Sequence, residues 1–278
     1  MKFLKFSQPT SSILKSILFC VIFTALLVAF STLKSFISVK YERLAHGTVG
    51  TVAALLTTYL FIRFDRKSFS DFGLKFEKST LKKFFVGILI GIVLMGLSAI
   101  CVIYFSGFKI EVNENSSILN FLFLTLPLIP LSFMEEVGFR GYPLTILKDK
   151  TGIRISILIT SILFALYHLA NGWTIANSFL GAGVWGIVYG ISAIYSNGIS
   201  MPTGLHYAAN LTTSAFGIKS NSFNIWVLKQ QDGGTLENYY TSQMMTLIPQ
   251  ISLLIFGIVC MEWFIKSNKL PTAKRISS

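Results

Sequence analysis

Phe84-Phe-Val-Gly-Ile-Leu-Ile-Gly-Ile-Val-Leu-Met-Gly-Leu-Ser-Ala-Ile-Cys-Val-Ile-Tyr-Phe105 is a run of 22 residues with no Asp, Glu, Lys, Arg or His. At 1.5 Å per residue, a helix of about 20 such residues crosses the roughly 30 Å of hydrocarbon in a bilayer. Ile17 to Leu33 forms a second run of the same kind. Outward from these two, a window of about 19 residues finds eight candidate spans. They cover residues 16–33, 47–62, 84–106, 118–140, 153–170, 177–195, 202–218 and 244–265. The fold class they predict is all-α, a polytopic transmembrane helix bundle of about eight spans. Composition agrees, because the 278 residues are 53% hydrophobic and 13% charged, with mean hydropathy +0.64. A soluble domain carries about 25% charged residues.

The formal charge of +12 raises nucleic-acid binding as a function. The 24 Lys and Arg argue against it, because they are scattered between apolar runs and form no patch interleaved with aromatics. Membrane topology accounts for them better. Summed over alternate compartments, the loops and tails hold 18 basic residues on one side and 6 on the other, with Arg140 counted in the fourth loop. The positive-inside rule then predicts a multi-pass protein of the cell membrane with both termini in the cytoplasm. Arg63, Arg66, Lys67, Lys75, Lys78, Lys82 and Lys83 decide most of that orientation.

The first run follows Lys2, Lys5 and Lys15, but it is long and ends in Ser31-Thr32-Leu33-Lys34 with no small-x-small cleavage site, so it reads as a retained span. Cys20, Cys101 and Cys260 lie in apolar runs and read as small core residues. Gly87-x-x-x-Gly91 and Gly186-x-x-x-Gly190 predict close helix approach within the bundle. The longest polar connector runs from Lys219 to Gln243, with Asp232-Gly233-Gly234 as a turn.

Ionisable groups inside apolar runs are costly, at least about 2.5 kcal/mol each near a helix centre, unless they are paired or face a wet cavity. The fourth span carries Glu135-Glu136-Val-Gly-Phe-Arg140-Gly-Tyr142, the fifth ends Phe164-Ala-Leu-Tyr-His168, and the seventh opens with His206-Tyr-Ala-Ala-Asn210. Glu136 and Arg140 are i and i+4, acid before base, which predicts an intramembrane ion pair. Glu135 lies about 100° around the helix and is left as a carboxylate for another neighbour. A buried carboxylate beside a histidine is a candidate general base, with His168 its natural partner. Phe164, one turn before His168, is placed to wall or orient the imidazole. His206 and Asn210, again i and i+4, present two donors in one direction, as a developing oxyanion requires. A structural ion pair and an interfacial histidine are the plain readings of each feature alone. Two of three histidines and two adjacent acids in apolar helices favour a functional site.

Glu135-Glu136-x-x-x-Arg140, Phe164-x-x-x-His168 and His206-x-x-x-Asn210, in order on three spans, resemble the motifs of the CPBP family of intramembrane proteases, also called the CAAX protease and bacteriocin-processing or Abi family. The resemblance covers residues 115–220. It implies peptide-bond hydrolysis within the membrane on a hydrophobic or membrane-associated substrate. Glu135 would activate water with His168, His206 and Asn210 would stabilise the oxyanion, and Glu136, Arg140 and Phe164 would support the site. It also implies an alternative in which Glu135, His168 and His206 form a His2Glu zinc set, with the metal-free glutamate mechanism favoured in the absence of His-Glu-x-x-His. The domains expected are 1–115, three spans with a basic loop; 116–220, the catalytic core; and 221–278, an extracytoplasmic loop, a last span and a basic tail. A Lys/Ile/Asn/Phe-rich chain of this length has a bacterial cast, which points to pheromone or bacteriocin processing, self-immunity or maturation of envelope proteins. Its rivals are a non-catalytic immunity or scaffold protein and a proton-relay transporter.

With straight spans, Glu135 would lie near the cytoplasmic end of its helix and far from His168. Catalysis therefore predicts broken or tilted helices, with Pro127, Pro130 and Pro202 as the breakpoints.

Overall fold

Each long apolar run forms a helix in the computed structural model, which describes residues 8–32, 36–38, 41–106, 108–217, 224–230 and 247–269. The first three helices are α1 (Gln8–Ser31), α2 (Glu42–Asp65) and α3 (Thr80–Ser106). A long helical path follows from Ile118 to Thr151, made of α4 (Ile118–Thr125), α5 (Leu128–Glu136), a π-helical turn (Val137–Gly141) and α6 (Tyr142–Thr151). Next come α7 (Ile153–Ala170), a π-helical segment (Asn177–Gly183) that runs directly into α8 (Val184–Ser196), then α9 (Ser200–Ala215) and α10 (Leu247–Lys269). The architecture is an all-α polytopic bundle. Among the described residues, seven helical stretches are long and apolar enough to cross a membrane. The remaining expected span, the seventh, is α9, whose 16 residues fall short of the usual length of about 20. It needs less apolar surface because protein encloses it, and residues 201–209 are all buried.

The sequence reading is corrected in three places. The fourth span continues to Thr151 instead of stopping at Arg140, because the Arg140 charge is paired with Glu136 and needs no water to carry it. Of the three prolines, Pro127 and Pro130 together interrupt a helix. Neither has an N–H, so Leu126 N–H takes the Phe123 carbonyl at 3.3 Å and Ile129 N–H takes the Leu126 carbonyl at 3.0 Å, tightening one turn between α4 and α5. Pro202 sits in the first turn of α9, where no helical hydrogen bond is lost, and breaks nothing. The connector after α9 contributes a strand: β1 (Phe108–Val112) pairs antiparallel with β2 (Trp226–Gln230), Phe108 opposite Gln230 and Val112 opposite Trp226. Asp232-Gly233-Gly234, Lys2, Lys5 and residues 270–278 lie outside the described residues.

The central packing is backbone against backbone. A Cβ on Gly87 would lie 2.1 Å from the Met201 carbonyl oxygen, and one on Gly204 would lie 2.0 Å from that of Phe84. Only hydrogen fits at these points, so α3 and α9 are locked at a separation no other residue allows. Gly186 and Gly190 likewise face Ser161 and Ile157 of α7. Both small-residue pairs therefore act inside one chain.

Toward the end that carries the 63–83 loop, an aromatic layer fills the bundle. Phe19, Phe61, Phe72 and Tyr142 pack ring on ring, with Phe19, Phe61 and Phe72 each 4.9 to 5.2 Å from Tyr142. The Tyr142 hydroxyl donates to Asp65 at 2.6 Å, and Lys15 pairs with the same carboxylate. The loop itself is pinned by a reciprocal cap between Ser68 and Asp71, whose hydrogen bonds from the Ser68 backbone and side chain hold the Asp71 carboxyl below the usual range.

Candidate active site

Gly152 is the single residue between α6 and α7, with φ 82° and ψ 173°, a conformation that glycine adopts and other residues avoid. It folds α7 back along the path of α6, so that residues equally distant from it meet. Arg140 stands twelve residues before Gly152 and Phe164 twelve after, and the guanidinium carbon lies 4.3 Å from the centre of the Phe164 ring. Sixteen residues to either side come Glu136 and His168. The long helical path therefore places Glu136 and His168 at equal residue counts on either side of the turn.

Phe164 links the two histidines. Its ring meets the His168 imidazole edge to face at 4.5 Å and the His206 imidazole at 6.1 Å. The His168 Nδ1 lies 2.9 Å from the Phe164 carbonyl oxygen, which can only accept, so Nδ1 carries the hydrogen and the lone pair of the neutral ring sits on Nε2. Gly172, at φ 88°, then turns the chain so that the Trp173 ring packs against the same imidazole at 4.5 Å, with the Trp173 backbone N–H donating to the His168 carbonyl at 3.1 Å.

His206 reaches both glutamates from α9. Its Nδ1 donates to Glu136 Oε1 at 2.8 Å, and its Nε2 lies 3.5 Å from Glu135 Oε2. Arg140 Nη1 approaches the same Glu136 Oε1 at 3.5 Å, Arg140 Nε lies 3.5 Å from Glu136 Oε2, and Nη2 donates to the Gly186 carbonyl at 3.3 Å. Both partners of this ion pair have side chains with 0% exposure. The structure thus brings Glu135, Glu136, Arg140 and His206 into one buried cluster, with His168 joined to it through Phe164. The contact it gives Glu135 is with His206, whereas the sequence reading paired Glu135 with His168. Asn210, one turn beyond His206, is half-buried and donates to Ser132 Oγ at 3.3 Å.

Three contributors were not among the sequence candidates. Tyr189 stacks on His206, 4.4 Å between centroids and 17° between planes, and lies 5.2 Å from the Arg140 guanidinium. Ser132 and Trp173 are the others. Ser132 sits one turn before Glu136 in an apolar run, and Tyr189 lies inside the Gly186-x-x-x-Gly190 string, so both had a positional signal. Trp173 had none, because its place depends on the turn at Gly172. The π-helical turn at Val137–Gly141 sits between the glutamates and α6, and such bulges in α-helices are frequent at functional sites.

Among the described residues, no group of three His, Cys, Asp or Glu is disposed to hold a metal ion; the His206 Nδ1 donates to Glu136, which leaves Nε2 as the ring atom a metal would take.

Residues 116–212, about a third of the chain, match the family described as Type II CAAX prenyl endopeptidase Rce1-like, which is the CPBP family. All seven motif residues fall within that segment. No curated protein matches the chain.

Proposed function

We propose that this chain, whose residues 116–212 match the Rce1-like CAAX endopeptidase family, is an intramembrane endopeptidase that hydrolyses a peptide bond of a membrane-associated protein or hydrophobic peptide. The observation that supports it best is the convergence of His168 and His206, from two helices, on the ring of Phe164, with Glu135 of a third helix in contact with His206, all in a buried setting.

Glu135 serves as the general base. It takes a proton from water as the water oxygen attacks the scissile carbonyl carbon, and it returns that proton to the departing amine, leaving a new carboxylate and a free amino terminus. His206 Nε2, 3.5 Å from Glu135, is within reach of the carbonyl oxygen under attack. As the imidazolium, with Nδ1–H on Glu136 and Nε2–H toward the carbonyl oxygen, it stabilises the oxyanion together with the Asn210 amide. Glu136 orients the His206 ring through Nδ1, and Arg140 lies against the same Glu136 carboxylate. His168 presents Nε2 because Nδ1 is held by the Phe164 carbonyl. No metal is required by this scheme.

The protein spans the cell membrane many times with both termini in the cytoplasm, and in a bacterium it would serve bacteriocin or pheromone processing or self-immunity. The test is cleavage of a fluorescence-quenched hydrophobic peptide library by purified protein in liposomes. Glu135→Gln and His168→Ala should each lose at least about 100-fold in rate while remaining folded. Equal cleavage by all three proteins would remove the protease reading and leave the non-catalytic scaffold in its place.

A further inference from the structure

Two hydrogen bonds cross between α5 and α9, one helical turn apart on each. Glu136 Oε1 accepts from His206 Nδ1 at 2.8 Å, and Ser132 Oγ accepts from Asn210 Nδ2 at 3.3 Å. Ser132 and Glu136 are i and i+4 on α5, and His206 and Asn210 are i and i+4 on α9. The earlier residue of one pair meets the later residue of the other, so the two helices run antiparallel here and their polar groups form a ladder of two rungs.

The rungs share one construction. Each begins at an α5 residue with 0% exposure and ends at one of the two groups assigned to the oxyanion. Ser132 is too deep to meet a peptide, whereas the Asn210 side of its rung is half-buried. On the same helical path Thr125 gives its hydroxyl to the Phe121 carbonyl four residues back, the usual local outlet for a hydroxyl in an apolar helix. The Ser132 bond instead crosses to another helix. Asn210 Nδ2 carries two hydrogens, so the one held by Ser132 fixes the amide and the other is left for an acceptor on the substrate. An amide without that anchor can turn over and present Oδ1, whose partial negative charge opposes an oxyanion. Glu135 lies between the two anchors in sequence, so the proposed base and both oxyanion donors take their positions from one turn of α5.

We propose that Ser132 is a positioning residue of the site: it holds the Asn210 amide as Glu136 holds the His206 imidazole, so that both oxyanion donors are aimed before the substrate arrives. This rests on the endopeptidase reading.

The test is a double-mutant cycle in the full-length protein, in liposomes, on one quenched hydrophobic peptide that the wild type cleaves. Ser132→Ala should lower kcat about 2- to 13-fold at unchanged KM, the range that one hydrogen bond spans, because the loss is felt only when the oxyanion forms. Asn210→Ala should lower kcat about 100-fold. In that background Ser132→Ala should change kcat by less than about 1.5-fold, since the amide it positions is gone. The same 2- to 13-fold loss in both backgrounds would show that Ser132 only supports the packing of α5 on α9, and would overturn the proposal. A loss confined to KM, or a single variant at the wild-type rate, overturns it as well while leaving the protease reading intact. Absence of cleavage by the wild type across the whole peptide library removes the endopeptidase reading, and the proposal with it.

Discussion

The ion pair at the centre of the site makes the sharpest claim about stability. Arg140→Met keeps a long apolar stem between Phe164 and Tyr189 but removes the guanidinium that faces Glu136 twice at 3.5 Å, bonds the Gly186 carbonyl at 3.3 Å and lies 4.3 Å from the Phe164 ring. Glu136 is then a carboxylate of 0% exposure without its counter-charge. Breaking one side of a buried pair costs about 3 to 5 kcal/mol. Loss of a desolvated cation–π contact adds up to about 2 kcal/mol. Against a total stability of about 5 to 15 kcal/mol, the variant should be close to unfolding. Glu136→Gln keeps an oxygen to accept from His206 Nδ1 but leaves Arg140 without a counter-ion, so it is destabilised as well. The double variant holds no unbalanced charge and should return to within about 2 kcal/mol of wild type, because a buried pair replaced on both sides is often nearly neutral. Denaturant titration of purified protein in one detergent, read by intrinsic fluorescence, gives all four corners of the cycle. Additive losses in the double variant, or a loss under about 1 kcal/mol for Arg140→Met, would refute the claim that the two charges depend on each other.

Three further outcomes follow from the geometry. Tyr189→Phe should keep the ring stacked on His206 and leave the rate unchanged, while Tyr189→Leu should lower kcat by about 2- to 13-fold at unchanged KM, the equivalent of the roughly 0.5 to 1.5 kcal/mol of an aromatic pair; equal rates for both would show that the ring does not position the imidazole. Gly204→Ala drives a Cβ to 2.0 Å from the Phe84 carbonyl oxygen and should cost about 3 kcal/mol, whereas Gly96→Ala, with nothing within 4 Å, should be neutral in the same thermal-shift measurement. Prolonged chelation should leave peptide cleavage unchanged, with less than about 0.1 equivalent of zinc by elemental analysis; activity lost on chelation and restored by zinc would replace the glutamate mechanism with a metal one.

How much of this was legible beforehand depends on the range of the interaction. Phe84 to Phe105 announces a helix because the bilayer leaves an apolar run no other backbone solution, and Glu136-x-x-x-Arg140 announces an ion pair because four residues are one turn. Those are local rules, and they survive the π-helical turn at Val137–Gly141. The end of the fourth span is less legible for one reason: Arg140 reads as a charge that must reach water, although its partner lies four residues away in the same string. Accepting that pairing extends the helix to Thr151, which puts Gly152 at the turn, and the mirror of Glu136 and Arg140 against His168 and Phe164 then follows by counting residues outward from Gly152. The information was in the sequence, but it required one buried pair to be taken at its full consequence. His206 is different. Its bond to Glu136 spans 70 residues and depends on α9 lying against α3 with no side chain between them at Gly87 and Gly204. No periodicity reports such a contact. It also adds a partner that the first assignment did not give Glu135, since the histidine chosen to hold the oxyanion is the one that touches the base, 3.5 Å from Nε2 to Oε2. The proposed base and the proposed oxyanion donor are thereby held in one contact between α5 and α9, which only the packing of the two helices could bring about.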